Sequence, residues 1–131
     1  FDNDRGGPDG VQRSVAEIET VLEKAGMAGR WPVLPGSHPL RYQFEPSPSP
    51  GVDFIVERAL AATPEDPLWV VGLGAATDMA SALLLEPAIC DRVIAFWRHR
   101  GRAGGPIAVS HAGAVCAFRH RHLFAVPDGR I

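Results

Sequence analysis

The sequence predicts an α/β fold with an open, mostly parallel sheet flanked by helices, and three observations predict it. Two short apolar runs, "LWVVGLG" and "RVIAFW", enclose a helical stretch, and strand, helix and strand within about 31 residues make one βαβ unit. A helix, a strand and another helix precede that unit, so the alternation of an α/β protein runs through most of the chain. The 131 residues, 46% of them hydrophobic, suffice to bury one modest core.

Residues 1–13 have the glycine, proline and aspartate content of a loop. Ser14 and Glu17 are spaced as a capping box, and Val15, Ile18, Leu22 and Ala25 then recur at helical intervals before the stop at Gly26. This predicts a helix over 14–25. Pro32 to Leu34 reads as a short strand running into a Pro35-Gly36 turn. The proline-serine run from Pro46 to Pro50 predicts a loop, with a new helix starting at Pro50 or Gly51. Val52, Ile55, Val56, Ala59 and Leu60 form its apolar stripe, with Asp53, Glu57 and Arg58 off it, and it ends near Thr63-Pro64. The uninterrupted apolar character of "LWVVGLG" suits a strand buried on both faces. A helix over 77–85, a short turn or helix at Pro87 and the strand "RVIAFW" complete the pattern.

Two regions follow. Residues 1–97 carry the α/β alternation, and 98–131 form a tail rich in arginine, histidine, glycine and alanine, with candidate strands at Ile107–Val109 and Val115–Phe118. All but one of the fifteen acidic side chains lie at or before Asp91, whereas arginine dominates afterwards. The break suggests a tail read out of frame in a GC-rich gene, in keeping with Lys24 as the only lysine.

The formal net charge of -2 and the pI near 6.2 give no whole-chain drive toward nucleic acid or an anionic membrane. No apolar run approaches the roughly 20 residues of a membrane span. Cys90 and Cys116 have no metal-ligand spacing, so reduced thiols in a cytoplasmic setting are expected. The chain opens at Phe1, and an incomplete chain with a missing leader or motif is part of the expectation.

The chemistry concentrates on "VVGLGAATDMASALLLEP", residues 70–87. Gly72 and Gly74 after an apolar strand resemble the start of a dinucleotide-binding turn, in which glycines let backbone amides approach a pyrophosphate. Thr77 stands where that fingerprint has its third glycine, although Arg98 and Arg100 after the next strand could receive a ribose 2'-phosphate. An NADP-binding βαβ module is therefore one reading, and a purely structural turn or interaction domain another.

A different family accounts for more of the chain. "SVAEIETVLEKAG", "PVLPGSHPL", "VDFIVERALA" and "PLWVVGLGAATDMASALLLEPAICDRVIAFW" resemble, in order and spacing, central segments of the inosine-uridine-preferring nucleoside hydrolase family. The best match is "GLGAATDMASALLLEP", similar to that family's apolar strand, Gly-x-x-Thr-Asn turn, small-residue helix and acidic-Pro pair. The resemblance spans Ser14 to about Trp97. It implies an open Rossmann-like sheet, of which 1–97 would be the central part, and hydrolysis of the N-glycosidic bond of a ribonucleoside to ribose and base. It also implies a calcium ion held by aspartates and carbonyl oxygens, a nucleoside as the small-molecule partner and a homo-oligomeric parent.

Carried over residue by residue, the resemblance makes the main-chain carbonyl of Thr77 a calcium ligand, while Asp78 replaces the family's asparagine and caps the helix. Asp2, Asp4, Gly6 and Asp9 follow the family's Asp-x-Asp-x-Gly-x-Asp-Asp string, but Pro8 displaces one aspartate and no strand precedes them. The late histidine-aspartate pair has no counterpart: His111, His120 and His122 are not followed by aspartate. His38 falls in a loop that the family places at its active-site rim. Ser47 and Ser49 stand in a stretch where the family often carries a substrate-side histidine, so base recognition does not transfer. Ser110-His111 lacks a carboxylate to orient it. Trp31, Trp69 and Trp97 are expected in the core. No catalytic residue is assigned, and the chain is expected to be inactive alone.

Overall fold

The computed structural model describes residues 7–37, 45–74, 76–98, 106–109, 118–119 and 122–123. The α/β class is observed. The elements run α1 (Gly10–Lys24), α2 (Pro50–Ala61), β1 (Leu68–Gly72), α3 (Thr77–Leu85), a 3-10 turn at Pro87–Ile89, β2 (Val93–Arg98), β3 (Pro106–Val109), β4 (Phe118–Arg119) and β5 (His122–Leu123).

Helix α1 begins four residues earlier than its capping-box pattern predicts. Gly7 takes a φ of +66°, the Gly10 amide donates to the Gly7 carbonyl at 3.1 Å and the Arg13 amide donates to the Asp9 carbonyl at 3.0 Å. Already inside the helix, the Ser14 hydroxyl donates back to the Gly10 carbonyl at 2.9 Å instead of capping, a local bond that serine makes readily in mid-helix. The C-terminal stop is at Gly26 as expected. With φ at +70°, it lets the Met27 amide reach the Leu22 carbonyl at 2.8 Å and its own amide reach Glu23 at 3.0 Å, which is a Schellman motif. No residue of α1 is buried.

Helix α2 starts as predicted. Pro50 occupies the first turn, where its missing N–H costs nothing, and the Ser49 hydroxyl accepts from the Val52 amide at 3.2 Å. Its stripe packs inward through Val52 and Ala59, both fully buried, with Ile55 and Val56 beside them, while Leu60 stays exposed. Gly51 lies so close to the preceding loop that a Cβ would stand 3.2 Å from the Pro35 carbonyl, and its amide donates to that oxygen at 3.0 Å.

Strands β1 and β2 pair in parallel from Leu68–Val93 to Gly72–Trp97, joined through α3, as the βαβ pattern predicts. β2 also pairs antiparallel with β3, so the sheet is mixed, in the order β1-β2-β3, and β4 and β5 form a separate two-stranded pair. The core lies where α2 and α3 meet the inner face of β1 and β2: Val52, Ala59, Met79, Ala82, Leu83, Ile89 and Val93 form one cluster, flanked by Leu68 and Val70. Each large side chain fully buried there contributes about 1.5–3 kcal/mol.

Three expectations are corrected. Pro32 to Leu34 form no strand, because two of the five residues from Trp31 to Pro35 are prolines without an amide for a ladder. β1 is covered on one face only among the described residues: Leu68 and Val70 turn inward, while Trp69 is 66% exposed and Val71 60% exposed. Trp31, also expected in the core, is half exposed. An apolar run satisfies the composition of a two-sided strand, but only α2 and α3 supply a cover here. The side chain of Trp97 is outside the described residues.

Cys90, half-buried beside the core, is not the free thiol expected, and Cys116 is outside the described residues. Among the described residues, no helix is long and apolar enough to cross a membrane.

Candidate functional site

The strand-turn-helix at 70–87 places Gly72 at the carboxyl end of β1, Gly74 in the turn and Thr77 as the first residue of α3. Gly74 has no positive φ, and a Cβ there would meet nothing within 4 Å. The backbone conformation at Gly74 therefore does not itself require a glycine.

Thr77 is buried to 9% exposure. A carbonyl in the first turn of an α-helix points along the axis toward the C-terminus.

Asp78 does something the sequence does not announce. The residue preceding α3 is Ala76, and the helix has no side-chain cap; this corrects the capping role expected for Asp78. The carboxylate turns instead to the Pro35-Gly36-Ser37 loop, where Oδ1 accepts from the Ser37 amide at 2.6 Å. The absence of a Cβ at Gly36 makes this approach feasible, since one would stand 2.8 Å from Oδ2. A charge-assisted bond of this length is stronger than a neutral one.

Serines extend the clamp. The Ser37 hydroxyl donates to the Ser47 carbonyl and lies 3.1 Å from the Ser49 hydroxyl, and the Ser47 amide donates to the fully buried Ser81 Oγ at 3.0 Å. Ser81, on α3, is thereby a satisfied buried polar group. Ser47 and Ser49 hold the loop from 45 onward against α2 and α3. These contacts bring "PGS" and "GAATD", segments 41 residues apart at their junction, to the carboxyl end of β1. That is where open α/β sheets place their ligands.

Most of the remaining expected site residues lie outside the described ones. Asp9 immediately precedes α1 and makes no side-chain cap, and Asp2, Asp4 and Gly6 are outside the described residues. So are His38, Arg100, Ser110, His111 and His120, together with the side chains of Arg98 and His122. Among the described residues, no group of three or more His, Cys, Asp or Glu side chains could hold a metal ion. With one oxygen of Asp78 given to Ser37, these residues do not fit the shell of six to eight oxygens that calcium takes.

The missed contact is Asp78 to Ser37. Its only signal in the sequence is the pairing of a glycine-serine turn with an acidic residue at a helix start, too common a pair to single out. The chain matches no family model, no curated protein and no solved structure.

Proposed function

We propose that this chain is the central part of a Rossmann-like, nucleoside hydrolase-like unit. Its 35–37 and 73–78 loops would form one wall of a ribonucleoside site, and the chain would have no turnover of its own. The supporting observation is the Asp78 to Ser37 clamp: it joins two of the four segments that carry the resemblance, at the end of the sheet where such a site belongs.

The role of the clamp in this reading is positional. It fixes the Pro35-Gly36-Ser37 loop against the first turn of α3, at the carboxyl end of β1. Calcium belongs to the intact family member, in which the Thr77 carbonyl would be one ligand. The described residues do not complete that ion's shell, so hydrolysis is not assigned to them. A homo-oligomeric parent belongs to the same proposal.

Titration of the isotope-labelled chain with inosine and uridine, with and without calcium chloride, tests the reading by NMR. Amide shifts confined to 35–37 and 73–78, at millimolar nucleoside and without ribose release, are the expected result. Robust ribose release would overturn the inactivity. Saturable NADPH binding at the same amides, or no response to nucleoside there, would overturn the nucleoside site.

A further inference from the structure

The fold leaves two apolar surfaces open at once, and what they imply does not rest on the nucleoside reading. One is the outer face of β1 and β2. Trp69 and Val71 are exposed there, and the parallel register sets Ile94 beside Trp69 and Phe96 beside Val71, while Val93 and Ala95 are buried on the inner side. Leu73, two residues beyond Val71, is 78% exposed. The other surface is the stripe of α1, in which Ile18 and Val21 are exposed and Val15 and Leu22 are only partly covered.

Parallel strands are ordinarily covered by helices on both faces, and α2 and α3 cover one of them. Among the described residues α1 is the helix left over. It is about 22 Å long against about 17 Å for β1, so its stripe can run the length of the strand. It does not do so within its own chain, since both surfaces are exposed together. Area decides what closes them. The outer sheet face presents roughly 450 Å² of apolar side chain. Two such faces packed on each other would bury roughly 900 Å², short of the ~1,200–2,000 Å² of a specific interface. Adding the α1 stripe of each copy raises the total to roughly 1,400 Å², within that range.

We infer that two copies of this chain form a closed two-fold dimer in which α1 of each lies across the outer face of β1 and β2 of the other. The contact is reciprocal, as two-fold symmetry requires. Residues 68–74 hold no charge that burial beneath a helix would strand. Each copy contributes one helix stripe and one sheet face, so the pair leaves neither uncovered.

Sedimentation equilibrium of the whole chain from about 5 to about 500 µM tests this. The expected result is a monomer when dilute and a dimer when concentrated, with a Kd on the order of 100 µM, weak because the contact carries no charged anchor. Ile18→Lys and Trp69→Lys each replace an exposed side chain, so circular dichroism should show the fold retained. Each variant alone should dimerise about tenfold more weakly or worse. An equimolar mixture of the two should recover part of the association, because the mixed dimer joins an unaltered α1 to an unaltered sheet face at one of its two contacts. A chain that stays monomeric throughout, dimerisation that survives Ile18→Lys, or a mixture that associates no better than either variant alone would overturn the inference.

Discussion

Helices α1 and α2 both carry an apolar stripe along one side, yet only α2 buries it. In α2 the stripe ends in Val52 and Ala59 at 0% exposure, packed with α3 and the sheet. In α1 none of the stripe is buried: Ile18 is 49% exposed, and Val15 and Leu22 are only partly covered. The α1 pattern is no weaker, and its C-terminal stop is the better formed of the two. What differs is the neighbour. α2 leads directly into β1, and its loop is tied by Ser49, Ser37 and Ser81 to α3, so its stripe meets a surface that the chain has already brought close. An amphipathic pattern states that a helix has something to bury; connectivity decides what is within reach.

The sharpest way to break that comparison is to empty the covered side. Ile89→Ala removes a fully buried side chain from the cluster beneath α2 and α3 and should cost about 2–5 kcal/mol, as large-to-small core changes do. Urea denaturation measures it, and a cost under about 1 kcal/mol would mean that this core is loosely packed. A second intervention cuts the tie that positions the loop. Asp78→Ala leaves the part-buried Ser37 amide without its acceptor, which should cost about 1–3 kcal/mol and raise hydrogen exchange at Ser37. Asp78→Asn, which keeps an acceptor oxygen, should lose less. The smallest effect is expected on the open side. Ile18→Ala should stay within about 0.5 kcal/mol, as surface substitutions do, and a loss above 2 kcal/mol would show that α1 is covered in solution after all.

The sequence made the α2 to β2 stretch legible because each boundary there has a local cause. Pro50 and Ser49 start α2, the Glu65-Asp66-Pro67 turn separates it from β1, and Pro87 follows α3. Those causes act within a few residues and need no knowledge of the rest of the fold. The failures are of another kind. The Ser14 capping box lost to a helix that starts upstream at Gly10, the strand expected at Pro32 to Leu34 has no partner ladder among the described residues, and Trp69 turns outward because a second covering layer is absent among the described residues. Each depends on what another part of the chain does. The site divides in the same way: the strand-turn-helix was visible, whereas the grip of Asp78 on Ser37 depends on two segments meeting in space. At Gly74 in that turn the backbone does not use the freedom that glycine offers.

Among the described residues, strand β1 stands at the end of its sheet, with β2 as its partner. Residues 68–74 contain no charge and no proline, and Trp69, Val71 and Leu73 are all exposed. Such a window, with an outer rim of backbone donors and acceptors, is a template for another chain of the same sequence. Natural sheets guard such rims with lysine, proline or a bulge, and here the nearest guards are Glu65, Asp66 and Pro67, just outside the strand. Solubility should therefore be set at this rim, with stacking of strand upon strand competing with folding as the protein is concentrated.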